Sequence, residues 1–250
     1  RRAAALAPEG DRAAEARLEA ARSHLQAGEW GPARELLEPL SAGEGSVGLA
    51  ALRELARLFE RQGPADAARE AWDELARRTR AEERCRARRS GAGAARALLD
   101  WAGAEARLRT ALEECAASPA LLRQAVLADL GEVLLLAGRP DAAAEPLAAA
   151  AEMGTSPEGL RAFQILGRAL EAAGRGQEAL ETYLRIGYLY PLSDSEVAGA
   201  FLRAGRLLES QGQLDQARAV YEKVAGDAAE GPAREAREHL ARLAAPEDPR

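Results

Sequence analysis

The sequence predicts an all-α fold: a solenoid of about six helix-turn-helix hairpins followed by a C-terminal capping helix. Three observations carry this expectation. The stretch GRALEAAGRGQEALETY, Gly167–Tyr183, recurs as GRLLESQGQLDQARAVY, Gly205–Tyr221, with Gly, Arg, Leu, Glu, Gly, Ala and Tyr at the same seven places. Six turn positions, Gly28, Gly63, Leu99, Gly138, Gly174 and Gly212, are separated by 35, 36, 39, 36 and 38 residues, the kind of period that marks stacked helical hairpins. Alanine dominates the apolar residues and only 4% of the chain is aromatic, which suits closely packed helices.

Each hairpin is justified by its own residues. After an N-terminal extension, 1–13, the first reads Ala20, Ala21, His24, Gly28, Trp30, Ala33, Leu37 and Leu40. The second reads Leu52, Leu55, Ala56, Phe59, Gly63, Ala68, Trp72 and Leu75. The third, near 85–118, has a sound second helix in Trp101, Ala104, Leu108 and Ala111, but its first helix contains Ser90, Gly91 and Gly93. Those are poor helix formers, so a distorted hairpin or a hinge is expected there. The fourth carries Leu127, Leu130, Gly131, Leu134, Gly138, Ala143, Leu147 and Ala150. The fifth is the fullest, with Phe163, Leu166, Gly167, Leu170, Gly174, Ala179, Tyr183, Ile186 and Pro191. Phe201, Ala204, Gly205, Leu208, Gly212, Ala217, Tyr221 and Val224 form the sixth. The repeats thus span 14–229. The remainder, 230–250, is expected to hold a capping helix from Ala233 to Leu243, started by Pro232, and a frayed tail APEDPR.

This succession of a large residue, Leu, Gly and a large residue, then a turn Gly, then Ala, an aromatic, Ala and Pro, resembles the tetratricopeptide-repeat family. The resemblance implies a right-handed superhelix whose extended concave surface binds protein or peptide partners. The terminal copies, with YLYP at Tyr188–Pro191 and a short polar insertion, are similar to repeats of bacterial envelope-assembly and motility-associated proteins. That similarity implies a non-enzymatic scaffold in a periplasmic or envelope-associated assembly, with the cytoplasm as the alternative. A regulatory or sensor array of a larger enzyme or transcription regulator is the second functional reading. The chain begins with Arg1 and Arg2 and not Met, so it is expected to be processed or cut from a longer protein.

Composition bounds the partners. Of 250 residues 47% are hydrophobic and 30% charged, and 34 basic against 40 acidic residues leave a net charge of −6. Such a balance gives no general attraction to nucleic acid or to an anionic membrane. No apolar run reaches the length of a membrane span, so direct membrane insertion is not expected.

Candidate chemistry is sparse. GEGSVG at Gly43–Gly48 matches a dinucleotide fingerprint formally, but a helix precedes it where a strand is needed, so an inter-hairpin loop is expected. The two histidines, His24 and His239, stand in no ligand spacing, and His24 falls on an apolar stripe where a packed core histidine is expected. No catalytic set, metal site or cofactor site is predicted. The run RRTRAEERCRARR, Arg77–Arg89, holds seven arginines and two glutamates; it reads either as an anion patch or as a solvated helix with local Glu–Arg pairs.

Two features remain as candidates. Cys85 opens the first helix of the third hairpin and Cys115 closes its second, which places both at one end of an antiparallel pair. They form either a disulfide, which would imply an oxidising compartment, or two separate buried thiols. In the repeat family ligands usually meet outward residues of the first helices. Carried onto this sequence, that face comprises Arg22, Arg57, Arg61, Glu132, Leu135, Gln164, Arg168, Leu202 and Arg206. Arg22, Arg57, Arg168 and Arg206 occupy equivalent places and would suit an acidic peptide. Otherwise each arginine pairs with the Glu three residues on, as in Arg168 with Glu171. The lysine and asparagine carboxylate clamp of chaperone-binding family members is not present.

Overall fold

The computed structural model describes residues 9–115 and 118–244. Within them the chain forms thirteen α-helices and no strand: α1 Glu9–Ala27, α2 Trp30–Ser41, α3 Gly45–Gln62, α4 Ala65–Arg78, α5 Ala81–Ala97, α6 Trp101–Glu114, α7 Ala120–Leu136, α8 Pro140–Glu152, α9 Pro157–Ala172, α10 Gly176–Leu189, α11 Ser195–Ser210, α12 Leu214–Asp227 and α13 Glu230–Ala244. Helix α1 starts within the expected extension, and α13 starts three residues before Ala233. The expected tail, 245–250, lies outside the described residues.

The helices divide into two compact units, one ending at Leu122 and one beginning at Arg123. In the first unit each helix from α1 to α6 packs on its successor, and α1 also meets α3. In the second unit the same holds from α8 to α13, with α11 meeting α13. Packing of each helix on its successor, with α1 on α3 and α11 on α13 as well, is how hairpins that cannot bury their apolar faces alone share a core.

Five hairpin turns close identically. Gly28, Leu99, Gly138, Gly174 and Gly212 are left-handed. The amide after each returns to the carbonyl five residues back: Glu29 to His24, Asp100 to Ala95, Arg139 to Leu134, Arg175 to Leu170 and Gln213 to Leu208. This bond satisfies an orphan carbonyl and stops the helix sharply. At the sixth turn Gly63 is extended, φ −111° and ψ 179°, because the following Pro64 excludes the helical region for the residue before it.

One register then builds every core. The alanine five residues after the turn, at 33, 68, 104, 143, 179 and 217, is buried in each hairpin. The large residue nine after the turn, Leu37, Trp72, Leu108, Leu147, Tyr183 or Tyr221, is buried too. In three hairpins that side chain lies on a glycine. A Cβ on Gly131, Gly167 or Gly205 would come within 2.2 Å of Leu147, 2.3 Å of Tyr183 or 2.4 Å of Tyr221. Absence of a side chain there lets the two helices approach over the ring.

The expected hinge in the third hairpin is not found. Helix α5 runs unbroken through Ser90, Gly91 and Gly93. Gly91 is buried, and a Cβ there would sit 3.4 Å from Trp72 Cβ and 3.3 Å from Asp73 Oδ1. The glycine serves close packing of α5 on α4, and this tertiary contact overrides its low helix propensity.

Candidate functional site

The first helices of the second unit, α7, α9, α11 and α13, are laced together by charge. Arg161 of α9 reaches back to Asp129 of α7 at 2.6 Å and to Glu132. Burial opposes the charged form of this guanidinium, but the two carboxylates outweigh it and raise its pKa. Arg203 of α11 lies 3.6 Å from Glu171 of α9. Arg206 of α11 pairs with Glu235 of α13, and Glu209 of α11 lies 2.9 Å from His239 Nδ1 of α13. His239 is buried, stacks on Tyr221 with ring centroids 4.5 Å apart, and has Arg242 Nη2 2.6 Å from the same Nδ1.

Between α9 and α11 a cleft of 370 Å³ is lined by Gln164, Arg168, Tyr183, Glu196, Gly199, Ala200 and Arg203. Gln164 Nε2 donates to the Glu196 carbonyl at 3.1 Å across it. Gly199 has open space where a Cβ would be. Arg168 is exposed and makes no ion pair among the described residues. Glu171, three residues on, instead accepts the Tyr183 hydroxyl.

The other residues of the expected face divide between the units. In the first, Arg22 pairs with Glu19 at 2.9 Å and approaches Glu54 of α3 at 3.6 Å. Arg57 turns back to Glu54 at 3.7 Å, and Arg61 is exposed in the last turn of α3. In the second, Glu132 is held by Arg161 and Leu135 is half-buried. Leu202 is a correction: it is buried, like the equivalent Ala128, whereas Gln164 at the same place in α9 is half-buried and lines the cleft. Pairing with the Glu three residues on is also not what the arginines do. Glu60 accepts Trp72 Nε1 at 2.8 Å, and Arg57, Arg168 and Arg206 go elsewhere or nowhere.

His24 is a second correction. It is half-buried and bonds Glu29 Oε2 at 2.5 Å beside the first turn, outside the core. The GEGSVG segment is mostly helix: α3 begins at Gly45, and the turn before it is three residues long. Arg78 donates to the Ser41 carbonyl at 2.6 Å and to the Gly43 carbonyl. The turn thus offers carbonyls to Arg78 while the Gly43 amide is spent on the Leu40 carbonyl at 3.0 Å, the reverse of a phosphate cradle. Much of the arginine run is paired within the chain: Arg77 with Glu74 and Arg86 with Glu82 in exposed pairs on their own helices, and Arg88 with Glu114 of α6 at 2.6 Å. Cys85 and Cys115 are fully buried with Cα atoms 5.8 Å apart and Sγ atoms within bonding distance. Among the described residues no three His, Cys, Asp or Glu side chains form a metal-holding group. Among the described residues no helix is long and apolar enough to cross a membrane.

A buried polar residue escaped the sequence reading. Gln124 of α7 donates to the Ala150 carbonyl at 2.8 Å and accepts from Ser156 Oγ at 2.7 Å, tying α7 to the α8–α9 turn. Its only signal in the sequence is a Gln in a helix whose other polar residues are charged.

Chain-successive helices and shared turn geometry define a helical-repeat protein. The fold is that of the tetratricopeptide-repeat proteins, and residues 200–230 match the tetratricopeptide-repeat family model. Among solved structures, PilF of Pseudomonas aeruginosa superposes with a TM-score of 0.59 at 18% identity, over 93% of this chain and 98% of its own. BtubC of P. vanneervenii gives 0.59 at 15% identity, over 95% and 92%. YrrB, described as a TPR protein with an unusual peptide-binding site, gives 0.55 at 18% identity, over 77% and 91%. No curated protein matches the chain.

Proposed function

We propose that the chain is a non-enzymatic scaffold that holds an acidic protein or peptide segment in the first-helix cleft between α9 and α11. Arg168 carries this reading. Its neighbours Arg161, Arg203 and Arg206 are each approached by carboxylates of an adjacent helix, whereas Arg168 stands at the cleft without an ion-pair partner among the described residues. An open guanidinium beside a half-buried glycine with free space at its Cβ position suits a carboxylate bound bidentately. The peptide-binding site named for YrrB supports the class of ligand.

A multiprotein assembly of the bacterial envelope is the proposed setting, supported by the Cys85–Cys115 geometry, since disulfides persist in oxidising compartments. Net charge of −6 supports a protein partner over nucleic acid. The test is affinity capture with cross-linking and mass spectrometry from the source cells, comparing wild type with Arg168→Glu after both are shown to fold. Loss of a partner whose cross-links map to α9 and α11 supports the proposal. Retention of every partner by the variant overturns it.

A further inference from the structure

The opposite side of the same unit carries a second cleft. It is a cavity of 510 Å³ between the second helices α8 and α10, floored by Phe163, Leu166 and Leu170 of α9. Ala144 and Ala148 keep one wall low. The rim carries four carboxylates, Asp141 and Glu145 from α8 and Glu178 and Glu181 from α10, against two guanidiniums, Arg175 and Arg185.

Both guanidiniums are already engaged. Arg175 makes two bonds to Glu178, at 2.7 and 2.6 Å. Arg185 lies over the Phe163 ring, 5.3 Å from its centroid, and approaches Glu152 at 3.7 Å. Asp141, Glu145 and Glu181 make no ion pair among the described residues. Asp141 still attracts Arg175 and Glu181 accepts Gln177 Nε2 at 3.1 Å, so the cleft joins an apolar floor to a rim with an excess of carboxylates over guanidiniums. A long basic side chain matches both, laying its methylene stem on the floor and its cation among the carboxylates. The Arg185–Phe163 stack shows that the floor accepts a guanidinium.

We propose that this second-helix cleft is a docking site for a basic, arginine- or lysine-bearing peptide segment of a partner protein. It is separate from the first-helix cleft and of opposite charge preference, so one unit could hold two segments of opposite sign. The proposal does not depend on the function assigned to Arg168.

The test uses fluorescence anisotropy with a labelled, end-blocked peptide alternating Arg with Leu and Ala, and a counterpart with Glu in each Arg place, at about 150 mM salt. Saturable binding of the basic probe alone is expected, weakened about tenfold or more by Glu145→Gln with Glu181→Gln. Glu35→Gln with Glu70→Gln makes the same change in net charge on the first unit and is expected to leave binding unchanged, as is Arg168→Glu. Equal weakening by both double variants would reduce the effect to general attraction and overturn the site. Absence of saturable binding overturns it too. Self-association of the chain lost in Glu145→Gln with Glu181→Gln would make a second copy the occupant and overturn the assignment of a partner.

Discussion

The Tyr183 hydroxyl donates to Glu171 Oε1 twelve residues earlier, and Trp72 Nε1 makes the same link to Glu60 at 2.8 Å. Both bonds join the residue nine after the turn to the residue three before it, so each hairpin is clasped across its own turn. In the last hairpin Tyr221 and Glu209 occupy the same two places, but the buried Tyr221 hydroxyl stands outside hydrogen-bonding geometry. Burial first, and then Glu171, holds the Tyr183 phenol above its ordinary range. The unfolded chain ionises this group near its ordinary value, so its contribution to stability is full below that value and declines as pH rises through it. Tyr183→Phe is expected to cost about 2 kcal/mol at neutral pH. It should also flatten the fall in urea midpoint above about pH 10, measured against wild type.

Glu209 titrates the other way. Burial pulls its carboxyl up, but the Tyr221 hydroxyl and His239 outweigh this and hold it below the ordinary range. Its contribution is present above the ordinary carboxylate value and is lost as pH falls through the lowered one. Glu209→Gln should therefore flatten the acid limb of the stability profile. Hydrogen exchange should report the change in α11 and α13.

Gly167→Ala would drive a methyl into the buried Tyr183 ring, 2.3 Å from Cε1. The expected cost is about 1 to 3 kcal/mol from overpacking. A double-mutant cycle with Tyr183→Ala should show coupling well above experimental error, because the two sites are in contact. Additive effects would show that the helices separate freely.

Leu99 occupies a left-handed turn position, φ +59°, and is 69% exposed. Its side chain contributes little packing while its backbone is strained. Leu99→Gly should raise stability by about 1 kcal/mol, read as a higher urea midpoint at unchanged slope.

With Cys85 and Cys115 bridged, the closed loop links positions 30 apart. Reduction, or Cys115→Ser, should lower stability by about 3 to 4 kcal/mol. Thermal melts with and without reductant, alongside thiol counting on the untreated protein, test this. Equal melts and two free thiols would show two buried cysteines.

Arg206→Glu should act on folding. It would set a carboxylate against Glu235 and loosen α13. Exchange protection is expected to fall in α13 for Arg206→Glu and to stay unchanged for Arg168→Glu.

The sequence by itself determined the hairpins and their register. Turn glycines, the alanine five residues on and the large residue nine on act over one or two helical turns, and such short-range constraints are written directly in residue spacing. Even the clasp was legible in retrospect, as a Glu twelve residues short of Trp or Tyr in three copies, two of which make the bond. Tertiary structure alone decided where the charges go. An arginine on a first helix reaches its own turn and the neighbouring helix about equally, and only the packed arrangement sends Arg206 to Glu235 while leaving Arg168 open. The same holds for Gly91, which propensity reads as a break and packing uses as a seat for Trp72. It holds for His239 as well, whose stack on Tyr221 joins residues that no local pattern connects. Local geometry repeats with the period, whereas contacts between repeats depend on how neighbouring surfaces meet.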